Sequence, residues 1–410
     1  MTSLKLLEAE RQQLEALLQT ASYPLHRRIR LILLFDQGLT TKPAAQQAGY
    51  SPSRARYWKR QFLLRGMEIF HLQTRQEATQ SAQENPATSD MPALSQSGIL
   101  PDDPMSEAGR KTLLFHFLEM LKHEAGTIAG EDIEELHDMR VATRRMRAAF
   151  DVFGKYFSPK AINPFLGSLR TLGRTLGAVR DLDVSLEKLR LYLQNLSAEQ
   201  QAGLMPLQEH WNQLLESARI EMLNHLNSQD YRNFKESFST FLQTPGMGVA
   251  RPKRGAPAQS TVRFLAPTLI YTRLANVMAF DSILDTASYE QLHALRIEFK
   301  IFRYTLEFFR EVLGGEANAI INKIKTLQDH LGELNDANVA CQSLTRFLKK
   351  WDRRQTELPL MQRLSPEPIV NYLAFYYAER HRLMTSFPAA WQHFTRPELR
   401  QSLASAVSVL

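Results

Sequence analysis

Two stretches of this 410-residue chain repeat each other, and that repeat restricts the fold more than any other feature. LHDMRVATRRMRAAFDVF (136–153) corresponds to LHALRIEFKIFRYTLEFF (292–309), and LRTLGRTLGAVRDLDV (169–184) corresponds to IKTLQDHLGELNDANV (324–339). The order is the same and the offset changes by one residue, from 156 to 155. Two matched blocks in register are hard to obtain by chance, and two long copies point to a tandem-duplicated unit, not a solenoid. Apolar residues recur at three- and four-residue spacing around both copies, and no segment alternates as a strand does. The expected fold class is all-α.

The first block carries a second pattern within the helical one. With His137 at 0°, a helix places Arg140 at about 300°, Arg144 at about 340° and Arg147 at about 280°. Leu136, Met139, Met146, Phe150 and Phe153 fall on the opposite, packing face. The second copy gives the same wheel, with His293, Arg296, Lys300 and Arg303 as the stripe, each stripe being about 15 Å long. Like charges beside a core repel one another and lose hydration, so such a stripe needs a compensating partner. One reading is internal pairing with Asp181, Asp183 or Asp336. The other is a bound anion with many phosphates, because Arg offers a planar fork to phosphate oxygens and Lys a point charge. One histidine per helix, with arginine in place of carboxylate nearby, is a poor metal site, and a phosphate contact suits these histidines better.

The net charge of +7 is unevenly spread. Between Tyr23 and Gly66 nine basic residues stand against Asp36 alone, a local charge of +8 that leaves −1 for the rest. The N-terminal part therefore has a nucleic-acid-like field of its own, and any polyanion site elsewhere must come from local clustering. Two stretches rich in Pro, Gly and small polar residues read as linkers and divide the chain. The expected boundaries are a head at 1–72, a flexible linker at 73–105, one repeat at 106–243, a loop at 244–260 and a second repeat at 261–410.

Within the head, Pro24–Phe35, Thr41–Ala48 and Ser51–Leu64 read as helices, with Gly49 in the turn before the last and Ser51 as its cap. The segment RRIRLILLFDQGLTTKPAAQQAGYSPSRARYWKRQFLLRG is similar to the homeodomain-like helix-turn-helix of transposases and small regulators. That resemblance implies Ser53, Arg54, Arg56 and Tyr57 at base edges or phosphates of double-stranded DNA. It puts Lys59, Arg60 and the first-helix arginines on the backbone, with Trp58 and Phe62 in the core. The alternative is a protein-interaction module or a second polyanion contact.

The H-x-x-R-V-x-x-R-R-x-R helix, its second copy ending in K-x-x-R-Y-x-L-E, and the two L-G-x-x-(R/N)-D-x-x-V segments resemble the conserved histidine α-helical domain (CHAD) family over about 300 residues. The resemblance implies two four-helix bundles related by pseudo-twofold symmetry, with basic residues of both lining a shared groove. It also implies binding of inorganic polyphosphate and, in some members, a place at polyphosphate granules. Carried over, the eight stripe residues are the binding positions, with Arg170, Arg174 and Lys325 as weaker candidates. The second repeat departs in having Asp329 where the first has Arg174, and Asn335 where it has Arg180. Asp181 and Asp336, after Leu-Gly turns, read as helix caps or as partners that orient an arginine.

No motif for catalysis accompanies these residues. There is no phosphate-cradling G-x-x-x-x-G-K-(S/T) loop, no H-E-x-x-H, no G-x-S-x-G and no alternating Glu-x-Glu-x-Lys strand. Gly314-Gly315 reads as a helix C-cap. The expected protein is a non-enzymatic polyphosphate binder without cofactor or metal. A polyphosphate-responsive DNA-binding regulator and an enzyme acting on phosphoanhydrides are the alternatives. Cys341 as the one cysteine fits a reducing compartment, and no run of 18 apolar residues exists. The expectation is accordingly a cytoplasmic chain, at granules or nucleoid, with no membrane partner.

Overall fold

A computed structural model describes residues 4–18, 23–50, 52–70, 94, 96–130, 132–250 and 261–410. The described residues are almost entirely helical, and only two isolated bridges, Pro104 with Thr261 and Phe157 with Val249, have strand-like pairing. All-α is therefore the fold class. The chain divides into two compact units, one of Met1–Glu84 with Glu124–Leu136, the other of Asn85–His123 with His137–Leu410. Residues 124–136, read from the sequence as part of the first repeat, group with the head.

The head contains α1 (Glu8–Leu18), α2 (Tyr23–Asp36), α3 (Thr41–Ala48) and α4 (Pro52–Arg65). Gly49, at φ +73°, ends α3 in the left-handed region that glycine tolerates best. Ser51, expected as the cap of α4, lies outside the described residues. Leu14, Ile29, Ile32, Ala45, Ala55 and Trp58 are buried together in the head core. Asp36 fastens α1 to α2, accepting the Leu6 N–H at 2.9 Å and both Arg11 nitrogens at 3.0 and 2.8 Å. Burial alone would raise this carboxyl, but those donors outweigh burial and hold it below its usual range.

After the head come α5 (Met105–Lys122), α6 (Glu124–Ala129), α7 (Ile133–Phe153), α8 (Pro159–Leu193), α9 (Ala198–Leu226) and α10 (Gln229–Gln243), then α11 (Val262–Met278), α12 (Tyr289–Phe309), α13 (Ala317–Thr356), α14 (Glu367–Phe394) and α15 (Pro397–Val407); all but α6 and the first residues of α7 belong to the larger unit. The matched sequence blocks fall on α7 and α12, both 21 residues long, and on the long helices α8 and α13. Capping boxes, Ser197 with Gln200 and Ser288 with Gln291, start α9 and α12.

The two halves of the larger unit share buried contacts. Leu189 of α8, Leu207 and Trp211 of α9, Cys341 and Leu344 of α13, and Tyr372 and Tyr376 of α14 form one buried cluster. The far ends of two long helical hairpins thus share a core. The expected Leu-Gly turns are also absent, because Leu176-Gly177 and Leu331-Gly332 continue α8 and α13 as helix. An isolated glycine costs only about 1 kcal/mol within a helix, which the packing of a 35- or 40-residue helix overrides.

Two further expectations change. The end of the linker expected at 73–105 is ordered from Ser97 onward. Glu311 accepts four hydrogen bonds there, from Ser97 N–H and Oγ–H at 2.8 Å, Gly98 N–H at 2.7 Å and Ile99 N–H at 3.1 Å, and Ile99 and Met105 are buried. Gly314 is not a left-handed cap. It gives its N–H to the Ala406 carbonyl at 2.8 Å and sits tight against α15, where an added Cβ would stand 3.3 Å from Ala406 Cα.

Candidate functional site

Cations of the α7 stripe and of the α12 stripe act on one another. Desolvation pulls the Lys300 ammonium below its ordinary range, and the charges of Arg296 on its own helix and Arg144 and Arg147 on α7 add to the effect. Four cations from the two matched helices therefore share one field. Arg144, Arg147, Arg296 and Lys300 make no hydrogen bond or ion pair with another described residue. Arg147 lies across Gly173 of α8 and Arg140 across Gly177, with the guanidinium nitrogens 3.5 and 3.6 Å from where a Cβ would stand. The long helix α8 is thus a third side of the cluster.

Internal pairing accounts for part of the stripe and no more. Arg140 gives a hydrogen bond to Asp181 at 3.1 Å, as expected of an orienting partner. Desolvation lowers Arg140, and the pull of Asp181 only partly offsets this. Asp336 takes Lys188 at 3.2 Å, and Asp183 faces Arg219 at 4.0 Å. Partial desolvation pushes Asp181 up, Arg140 pulls it down and Asp336 adds to the rise, so the two matched aspartates face a common space.

Arg303 has a different place from the other stripe residues. Only 12% exposed, it pairs with Glu307 at 3.2 Å and lies over the Tyr304 ring. Arg145 of α7 reaches the same Glu307 at 3.4 Å, tying the two matched helices together. Nearby, burial pushes His116 down to about 3, with the Arg145 charge adding to it, so this ring stays neutral and is no anion contact. Replacing Glu307 with Ala strands two partly desolvated guanidinia and is expected to destabilise the larger unit by about 3 kcal/mol, read from urea unfolding. An unchanged midpoint would mean that water already screens this network.

His293 is held by a residue that the sequence comparison marks only as a departure. Its Nδ1 lies 3.0 Å from Asn335 Oδ1, which also accepts the Tyr289 hydroxyl at 3.2 Å. With Nδ1–H donating, Nε2 is left for another contact. His137 is half-buried at the corresponding end of α7. Of the weaker candidates, Arg170 is exposed and acts on Asp151, which also feels Lys300, Arg147 and Arg273. Desolvation nevertheless pushes the Asp151 carboxyl up. Arg174 acts on His225 of α9, and Lys325 is exposed on α13, so no described contact brings either to Lys300. Sequence reasoning missed Arg273 and Lys188, which lie outside the matched blocks and carry no repeat signal.

In the head, Arg56 and Arg60 are exposed and Lys59 stands over the Phe35 ring at 5.0 Å. The side chains of Ser53, Arg54 and Tyr57 lie outside the described residues. Of the first-helix arginines expected on a nucleic-acid backbone, Arg30 is exposed, whereas Arg27 and Arg28 are turned inward. Arg28 is 2% exposed against the Trp58 ring, with Nη1 bonded to the Ile69 carbonyl at 2.9 Å, and Arg27 bonds the Ala48 carbonyl at 3.1 Å. Among the described residues no cluster of His, Cys, Asp or Glu has the makings of a metal site.

Residues 111–345 match the family model described as the CHAD domain. The fold is similar to the crystal structure of the CHAD domain from the plant Ricinus communis, at 22% identity and a TM-score of 0.53, over 78% of this chain and 98% of that one. It is also similar to PptA from Streptomyces chartreusis, at 16% identity and a TM-score of 0.53, over 71% of this chain and all of the other. No curated protein matches the chain.

Proposed function

The chain belongs to the CHAD domain family, and we propose that its cationic cleft binds inorganic polyphosphate without turning it over. The observation that carries this reading is Lys300 among Arg296, Arg144 and Arg147, four cations from two helices that make no ion pair with a described residue and have Asp151 as the one carboxylate acting on Lys300. A dense, flexible polyanion relieves such repulsion better than a single carboxylate, because each phosphate meets a separate cation. The half-free His293 ring, Arg140 and the exposed Arg170 extend the cationic surface on either side. Neither Asp151 nor Asp181 has the partners of a general acid or base acting on a phosphoanhydride. Asp181 orients Arg140, and Asp151 tempers the repulsion around Lys300.

The test is titration of the full chain with polyphosphate across salt concentrations. Binding by counterion release falls steeply with salt, with a slope in log–log form of about −0.7 per neutralised phosphate for a single-stranded polyanion. A slope steeper than −2 is expected, with no phosphate released over hours. A slope near zero would remove the cleft as the site, and steady phosphate release would make the protein an enzyme.

A second reading gives the head a DNA contact and makes the protein a polyphosphate-responsive regulator. It is favoured by the left-handed Gly49 between α3 and α4 and by the exposed Arg56 and Arg60 on the helix that follows. With Arg27 and Arg28 committed inside the head, fewer cations are left for a DNA backbone than the sequence count implies. Placement at polyphosphate granules or the nucleoid follows from whichever polyanion dominates.

A further inference from the structure

The hairpin that turns α13 into α14 ends in an apolar tip. Leu360 is 78% exposed, Met361 98% and Leu364 55%. The loop beneath them is built, not slack. Arg363 donates from Nε to the Leu358 carbonyl at 3.0 Å and from Nη2 to the Thr356 carbonyl at 3.1 Å. The Gln355 side-chain oxygen takes the Leu364 N–H at 2.9 Å, and residues Leu360–Gln362 close a 3-10 turn. These bonds hold Leu360 and Met361 in water when a simple collapse of the loop would cover them.

The charge around the tip is net positive. The last turns of α13 expose Lys349, Lys350, Arg353 and Arg354, and the loop exposes Arg363, against Asp352, Glu357 and Glu367; none of the four helix cations makes an ion pair with a described residue. A few apolar side chains on a basic collar suit an anionic bilayer surface, where the side chains enter the headgroup–acyl boundary and the collar meets lipid phosphates. The tip is too small for a stable protein interface, which buries on the order of 1,000 Å² or more. A spanning segment is not needed for this, and no described helix is long and apolar enough to cross a membrane.

We propose that the α13–α14 tip is a peripheral membrane contact that inserts Leu360 and Met361 into anionic lipid. It lies about 30 Å along α13 from Asp336, so the tip and the cleft can be occupied at once. The tip meets lipid whichever anion the cleft takes.

The full chain is mixed with sedimentable vesicles of phosphatidylcholine, with or without phosphatidylglycerol, and compared with a Leu360→Ser/Met361→Ser variant. Both positions are too exposed for serine to affect folding. Binding to the anionic vesicles is expected, and the variant, which keeps every charge, is expected to bind them about thirtyfold more weakly. Its affinity for polyphosphate stays that of the native chain, which separates this result from a failure of the cleft. Three results overturn the proposal: no binding to anionic vesicles, equal binding by the variant, or a native dimer that the variant dissociates, which would assign the tip to a second copy of this chain.

Discussion

Replacing Arg144 and Lys300 together with Ala is expected to weaken polyphosphate binding by about two to three orders of magnitude while leaving the helical content unchanged. Each removed cation takes with it a charge-assisted contact worth about 1.5–3 kcal/mol, and the two act on one ligand from different helices. The salt slope should become shallower by about 1.4, two phosphates at about 0.7 each. Folding is spared because neither side chain makes a hydrogen bond or ion pair with a described residue, Asp151 keeps Arg147, Arg273 and Arg170 around it, and removing like charges relieves repulsion. The pH profile gives a separate check. Free Lys300 titrates below its ordinary range, and a bound phosphate raises it again. Native affinity is therefore full below the lowered value and declines as pH rises through it. Lys300→Arg should remove that decline. Undiminished affinity in the double Ala variant would locate the site elsewhere.

The largest loss of stability is expected from Phe238→Ala. This ring is fully buried on α10, with centroids 5.2 Å from Phe117, 4.8 Å from Phe165, 5.4 Å from Phe234 and 6.2 Å from Phe241. Truncation removes the apolar transfer of a whole phenyl group and leaves a cavity walled by rigid rings that cannot collapse into it. About 4 kcal/mol is expected, or roughly 10 °C in a thermal melt of the larger unit. Polyphosphate affinity measured well below that melt should be unchanged, because the ring neighbours of Phe238 include none of the cleft cations. A drop of less than 1 kcal/mol would mean that the cluster repacks.

The helices and their stripes were legible in the sequence because helical period and charge are both local. Both matched blocks form helices of 21 residues, and the packing residues Met139, Met146, Leu295, Phe299 and Phe302 are buried. The fates of individual charges were not legible, since these depend on neighbours distant in the chain. Arg303 has the same wheel position as Arg147, yet Glu307 one turn on and Arg145 from another helix draw it into a structural network. Arg27 and Arg28 count fully in the net charge of the head, while the fold commits them to Ala48 and Ile69 carbonyls. Asn335 looked like a lost arginine and proves to be the anchor of His293. The linker end failed for a related reason. Ser97-Gly98-Ile99 is short and carries no helical pattern, and its partner Glu311 lies more than 200 residues on, with Lys111 bonding the Gly98 carbonyl at 3.0 Å.

The cluster in which Trp211 and Leu207 meet Cys341 and Tyr372 also bears on how such a chain changes over generations. Each hairpin supplies half of an oil-filled joint, so a gene fragment encoding one half would translate into a protein with an open apolar seam. Recombination that swaps one half for a foreign counterpart must match the seam as well as the cleft. A substitution at Trp211 or Tyr372 therefore falls on both halves at once, because the space that it opens or fills is walled by residues of each.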